Sequence, residues 1–311
     1  MKNKRILFMG TPEIAATILK GIIEEGYNVV AIVAQEDKPV GRKKIIQPVP
    51  TKIVANTYNI PVFQPHRIKY DFEFVKELKI DLIVTCAYGQ LLPKELLSIP
   101  SIGCVNIHGS LLPKYRGASP IQQSLISGDE ETGVTIIEMV EEMDAGQMFN
   151  KKSILISPDD NYTSLYDKIA SLGLEAILES LPRLLEGNLC WGEEQCEELV
   201  TKCGKIKKED EHLSLDYSCV EFINWVRGLS NTPGGYLLLD DQVFKIYKAK
   251  KYSDKISSPV GEIVQANKQG LVLQLKDGQV ALIEVQKQGK AVMDYKSFIN
   301  GNQNILGKIL K

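Results

Sequence analysis

The stretch Gly103-Cys104-Val105-Asn106-Ile107-His108-Gly109-Ser110-Leu111-Leu112-Pro113 decides how this chain is read. Residues 103–108 have the texture of a short buried strand, where side chains two apart share a face. Asn106 and His108 therefore project together. Gly109 frees the backbone to turn sharply, so His108 stands at a strand terminus. In sheets of parallel strands, ligands bind beyond such termini. A second apolar stretch leads to Met143-Asp144-Ala145-Gly146, which adds a carboxylate. Amide, imidazole and carboxylate together suit the movement of an acyl group between nitrogens without a covalent intermediate.

Working outward, short apolar strands are predicted at residues 4–9, 28–34, 81–86 and 134–139, with helices at 12–25, 49–58, 71–78 and 119–127. This alternation predicts an α/β fold, a Rossmann-like mostly parallel sheet with helices on both faces. A long amphipathic helix follows at 161–186, with Leu165, Ile169, Leu172 and Ile177 on one face and Gly187-Asn188 ending it. Residues 189–210 lose apolar periodicity and read as a linker. Beyond it a helix at 219–229 precedes short strands at 236–239, 243–250, 261–264, 271–275 and 280–285. That spacing predicts a small oligonucleotide-binding (OB)-like β-barrel. The expected organisation is a catalytic domain over 1–188, a linker over 189–210 and the barrel domain over 211–311.

With 44% hydrophobic and 24% charged residues, the chain has ample core material and an ordinary soluble surface. No apolar run approaches the roughly 20 residues a membrane helix needs. The basic start holds a four-residue apolar run, too short for a signal peptide, so a cytoplasmic location is expected. The six cysteines (86, 104, 190, 196, 203 and 219) include no C-x-x-C pair and, even with His212, fit no standard zinc framework. No metal is expected. Charge is uneven: residues 1–200 carry −7 and residues 201–311 carry +5. A basic C-terminal module points weakly to a polyanionic partner.

Gly10-Thr11-Pro12-Glu13 matches neither the G-x-G-x-x-G nor the Walker pattern, so it is a plain strand-to-helix turn or a substrate contact. His66 and His212 read as structural. A Ser110–His108–Asp144 hydrolase triad is rejected, because G-x-S-x-G is missing and Ser110 is two residues from the histidine. Asp144 stands out from Glu138, Glu141 and Glu142 because Gly146 permits a tight turn beside it. Residues 38–48 carry four cations and no acid, which suits either a solvated loop or a mobile arm that neutralises phosphates.

The motif continues through Lys114-Tyr115-Arg116-Gly117-Ala118-Ser119-Pro120-Ile121 and closely resembles folate-dependent formyltransferases. Further segments narrow the resemblance to the methionyl-tRNA formyltransferases. They are Phe8-Met9-Gly10-Thr11-Pro12-Glu13, Ala87-Tyr88-Gly89-Gln90-Leu91-Leu92-Pro93-Lys94, Thr132-Gly133-Val134-Thr135 and Asn231-Thr232-Pro233-Gly234-Gly235. The resemblance runs nearly end to end. It implies formyl transfer from 10-formyltetrahydrofolate to the α-amine of methionyl initiator tRNA, for translation initiation. Asn106, His108 and Asp144 would be catalytic. Tetrahydrofolate would lie against Ser110, Leu111, Leu112 and Pro113 and against Tyr88, Gln90 and Leu91, with backbone at the pterin edge and leucines on its faces. Arg42, Lys43 and Lys44 match a loop that wedges against the tRNA acceptor end, and Lys205 matches a linker lysine near the same strand. The chain departs from the family at Ile14, where an aromatic is usual, and at Ala145, where threonine is usual. The alternative is a formyltransferase acting on a small amine such as an amino-sugar nucleotide, which needs neither the basic loop nor a basic barrel. A reading of a different class is an RNA-binding protein with an inert first domain. A monomer is expected.

Overall fold

The computed structural model describes residues 2–41, 45–187, 189 and 191–311. In chain order the first half forms β1 (Ile6–Gly10), α1 (Glu13–Glu24), β2 (Val29–Val33), β3 (Lys38–Val40), β4 (Ile45–Gln47), α2 (Pro50–Thr57), β5 (Val62–Phe63), α3 (Phe74–Glu77), β6 (Leu82–Cys86), α4 (Lys94–Leu97) and β7 (Gly103–His108). Then come β8 (Arg116–Gly117), α5 (Pro120–Ile126), β9 (Glu131–Glu138), β10 (Met148–Leu155) and α6 (Tyr162–Leu184). Seven strands make one sheet in the order β10-β9-β7-β6-β1-β2-β5. β1 is parallel to β2 and β6, β6 to β7, and β2 to β5, whereas β9 runs antiparallel to β7. The expected mostly parallel sheet is therefore present.

Strand period explains the core. Leu7, Met9, Ala31, Val33 and Ile83 pack into one buried cluster, and the alternate residues Ile6, Phe8, Ile32, Leu82 and Val84 are fully buried too. Both faces are thus covered, as continuous apolar strands require. Each of these side chains larger than alanine stabilises the fold by about 1.5–3 kcal/mol through burial. The carboxyl ends of β1, β6 and β7 are Gly10, Cys86 and His108. A Cβ on Gly10 would stand 2.6 Å from Cys86 O, so only glycine permits these two ends to approach. Thr11 then ties neighbouring loops together: its Oγ1 accepts from Gln35 N (3.1 Å) and lies 3.4 Å from Tyr88 O.

Three local expectations are corrected. The helix expected at 71–78 shrinks to the single turn Phe74–Glu77. Tertiary packing overrides periodicity there, because Phe74 stacks on Phe63 at 4.3 Å and Lys79 turns left-handed at φ 48°. Residues 38–48 are not simply loop, since β3 and β4 pair as an antiparallel hairpin. The edge strand β10 has no counterpart in the sequence reading.

The stretch after α6, which reads as a linker, is bonded to earlier chain. Met148 and Glu193 exchange backbone hydrogen bonds (2.8 and 2.9 Å), and β11 (Lys202–Cys203) pairs in parallel with β8. Contacts divide the chain into two compact units. The first comprises Met1–Pro120, Thr132–Ile154 and Tyr166–Cys203; the second comprises Ile121–Glu131, Leu155–Leu165 and Gly204–Lys311.

The second unit contains α7 (Cys219–Leu229), β12 (Gly235–Leu239), β13 (Gln242–Ser253), β14 (Ile263–Asn267), β15 (Gly270–Leu275), β16 (Gly278–Lys287), β17 (Met293–Asp294) and α8 (Tyr295–Asn300). Its antiparallel sheet has the order β12-β13-β16-β15-β14, with β17 on β16. Register shifts in the twelve-residue β13 bend that strand, and every long strand sends residues to one core with Phe222, Val226 and Phe298 from the helices. A Ser218–Glu221 capping box starts α7, a device that stabilises by about 1 kcal/mol. Among the described residues, no helix is long and apolar enough to cross a membrane.

Candidate active site

β7 presents Asn106 and His108 on one face, opposite Ile137 and Thr135 of β9. Asp144 reaches the same place from the loop between β9 and β10. Asn106 Nδ2 is 3.5 Å from Asp144 Oδ1, and His108 Nδ1 is 3.6 Å from the same oxygen. The structure thus brings together the three residues expected to be catalytic.

Each of them is oriented by a partner. Thr85 Oγ1, on β6, lies 2.7 Å from Asn106 Oδ1. The other end of that amide faces a carboxylate, which only accepts, so the NH2 group points to Asp144 and the oxygen accepts from Thr85. His108 is almost fully buried, and its Nε2 is 2.9 Å from Tyr115 O. A backbone carbonyl only accepts, so Nε2 carries a proton and the working edge of the imidazole is Nδ1. Asp144 Oδ2 accepts from Gly117 N at 2.9 Å.

The backbone at Asp144 departs from the sequence reading. The left-handed residue is Asp144 itself, at φ 55°, an uncommon conformation for a side chain with a Cβ. Gly146 is there for a different reason: a Cβ on it would stand 2.1 Å from Glu138 O. Next to the site, Cys203 Sγ lies 3.5 Å from Tyr115 O. Burial, and then the nearby Asp144 charge, push its thiol up from the ordinary value.

The residues expected to meet folate are placed less uniformly. Ser110 is fully buried and its hydroxyl donates to Lys114 O (2.6 Å), away from any triad geometry. Leu111 is half-buried. Leu112 is buried. Its side chain packs with Ile137 and Met148, and its N–H donates to Thr135 Oγ1. Pro113 is half-buried and its carbonyl accepts from Thr201 N. Tyr88 is buried as well. Its ring lies in the apolar cluster with Leu7, Met9 and Ile83, its buried hydroxyl has no hydrogen-bond partner among the described residues, and burial pushes its ionisation up. Gln90 spends its amide on the 66–68 loop, accepting from Ile68 N and donating to His66 O. Leu91 is 65% exposed, an apolar side chain available to a ligand. Ile14 is buried and its N–H donates to Tyr166 Oη (3.1 Å).

Arg42, Lys43 and Lys44 lie outside the described residues. Lys205 is exposed, one residue after the second unit takes over at Gly204. His66 pairs with Glu36 on the surface (2.9 Å), and His212 stacks on Tyr236; neither joins the site. Sequence reasoning missed Thr85, Tyr115, Gly117, Arg116 and Gln195. Only Gly117 carried a signal, because a glycine beside the motif marks a close approach: its Cβ would be 2.0 Å from Cys203 O.

A formyl transferase family model matches residues 4–181, and a formyl transferase C-terminal domain model matches residues 205–303. The chain is 43% identical over 299 residues to a methionyl-tRNA formyltransferase of Lactobacillus gasseri, covering 95% of each chain. It is 40% identical over 312 residues to one of Malacoplasma penetrans, covering 100% of this chain and 98% of that one. Among solved structures, an N-formyltransferase from Helicobacter canadensis, in complex with folinic acid and dTDP-3-aminofucose, superposes with a TM-score of 0.68. That match covers 91% of this chain and 99% of that one at 18% identity, and so speaks for the fold alone. By a family match over more than half its length and by relatives similar end to end, this chain belongs to the formyl transferase family.

Proposed function

We propose that the chain transfers the formyl group of 10-formyltetrahydrofolate to the α-amino group of methionyl initiator tRNA. The observation that carries this reading is the convergence of Asn106, His108 and Asp144 at the end of β7. The likeness to methionyl-tRNA formyltransferases along nearly the whole chain supports the choice of acceptor. Catalysis is assigned to the first unit. Holding of tRNA is assigned to residues 211–311, to Arg42, Lys43 and Lys44, and to the exposed Lys205.

An α-amino group titrates near 7.7–8.0, and esterification of its carboxyl lowers that further. The amine is already a nucleophile near neutral pH, so the protein has to stabilise the tetrahedral adduct and move one proton. Asn106 Nδ2 carries two hydrogens; one faces Asp144 and the other donates to the developing oxyanion. His108 protonated at Nδ1 adds positive charge beside it. As the new C–N bond forms and the bond to N10 breaks, the proton lost by the amine has to reach N10. Asp144 Oδ1 and His108 Nδ1, 3.6 Å apart, relay it through water. Folate is assigned to the backbone of residues 110–113 and to the exposed Leu91, with Leu111 beside it.

The test is transfer of labelled formyl from 10-formyltetrahydrofolate. Methionyl initiator tRNA, methionyl elongator tRNA, free methionine and an amino-sugar nucleotide are offered in parallel. Labelling of the initiator tRNA alone is expected; labelling of the sugar alone overturns the acceptor assignment. Asn106→Ala should lower kcat by about 10²–10³, the usual loss for one oxyanion donor, while folate still binds. Unchanged turnover in the folded variant removes Asn106 from the mechanism.

A further inference from the structure

A buried arginine and a glutamine from a distant segment meet on the outside of the Asp144 loop. Gln195 donates from its single Nε2 to two carbonyls, Asp144 O (2.7 Å) and Gly146 O (2.9 Å). Its Oε1 accepts from Arg116 Nε at 2.9 Å. The Arg116 side chain is 3% exposed, and its guanidinium also meets Glu197 Oε1 (2.7 Å) and Glu142 Oε1 (3.8 Å). A charge buried to that degree is tolerated only when its hydrogens are satisfied, and here all the partners named lie on the 142–146 loop or the 195–197 segment. The two amide hydrogens of Gln195 are used up on carbonyls that flank Ala145.

This matters because Asp144 adopts the left-handed region, which is unfavourable for a residue with a Cβ and persists only where its surroundings enforce it. Gly117 N fixes the carboxylate end of Asp144, and among the described residues Gln195 is the one seen to hold its carbonyl end. We infer that Gln195, anchored by Arg116, is a positioning residue for formyl transfer, holding the Asp144 backbone so that its carboxylate stays between Asn106 and His108. Neither side chain touches the reacting atoms. The inference rests on the transfer reaction proposed above.

The experiment compares full-length wild-type protein with Gln195→Glu and Gln195→Ala. Gln195→Glu keeps the bulk and the acceptor for Arg116, but sets an oxygen against two carbonyls. Both variants should lose tenfold or more in kcat. KM for 10-formyltetrahydrofolate and for methionyl-tRNA should stay within about threefold. Hydrogen exchange of the peptide spanning 142–147 should accelerate at least tenfold, with the rest of the first unit unchanged. Wild-type kcat with unaltered exchange in either folded variant overturns the inference. So does a loss shared among kcat, both KM values and the melting temperature, which marks a residue of general structural importance. Wild-type protein without any turnover sinks the functional reading instead, and the exchange measurement alone then decides whether Gln195 holds the loop.

Discussion

Replacing Gly146 by alanine adds one methyl group and tests whether the Asp144 loop is as tightly seated as it looks. The added Cβ would lie 2.1 Å from Glu138 O, 2.8 Å from Glu138 C and 3.1 Å from Glu138 Cβ. Ordinary van der Waals contact begins near 3.4 Å, so the two chains must part by about 1 Å. Backbone occupies both sides, so no flexible side chain can yield. The hydrogen bond from Glu138 N to Gln147 O (2.8 Å), which joins the two sides, lies in the path of that movement. So do the two bonds from Gln195 to the loop. Overpacking of this kind costs about 1–3 kcal/mol, and stretching these hydrogen bonds adds about 1 kcal/mol, the worth of one bond lost. Stability should therefore fall by roughly 2–4 kcal/mol, read as a lower midpoint in urea with an unchanged slope. The effect on chemistry should be larger in proportion, because a displacement near 1 Å can cost about 10²-fold in rate. Steady-state formyl transfer on the folded fraction should show kcat reduced about 10²-fold. A Gly146→Ala protein with kcat and urea midpoint near wild type would refute the claim that Glu138 and Gln195 fix the position of Asp144.

Two further outcomes are expected. Thr85→Val keeps the shape of a buried position but removes the hydroxyl that sets the Asn106 amide. With about 1 kcal/mol of orientation lost, kcat should fall roughly tenfold in a transfer assay while folate binding by titration is retained; equal kcat rejects the orienting role. Asp37 is held below the ordinary carboxylate value by its hydrogen bond with Lys52 (2.6 Å), against the cost of burial, with help from Gln64 and Val49 N. A lowered folded-state value contributes stability that is present above the unfolded value of about 3.9 and is lost as pH falls through the folded value. Asp37→Asn should therefore melt below wild type at pH 7, and the difference should begin to shrink below about pH 4 and close once pH passes the lower folded value; a gap that does not narrow as the acid limb is descended refutes the assignment.

Much of the first unit was legible because period two and burial act through neighbours along the chain. β7 and α7 fall on the residues expected of them, 103–108 and 219–229. The pairing of Asn106 with His108 follows from the same period. β10 was not legible because Asn150, Lys151, Lys152 and Ser153 fill its middle, giving it the polar face of a protected sheet edge. Arg116 reads as surface by its charge, yet it is among the most buried polar residues, since its partners come from residues 142 and 195–197. The burial of the Tyr88 ring was not legible, because nothing local in its motif shows that this strand end feeds the core. Gly146 was chosen for the right residue by the wrong argument. Its role depends on a strand eight residues away, which no local rule can see.

The pairing of β11 with β8 bears on where this protein can be cut. Tyr115, Arg116 and Ala118 donate backbone N–H groups to Thr201 Oγ1, Thr201 O and Cys203 O, respectively, and Thr201 N donates to Pro113 O. Residues 193–203 are thus a splint for the turn that supplies Tyr115 O to His108 and Gly117 N to Asp144. Anyone isolating the catalytic portion, or grafting a different C-terminal module onto it, would find residue 188 the natural junction by sequence and would discard the splint. A junction after Cys203 keeps it, so a workable chimera inherits this segment from the catalytic parent.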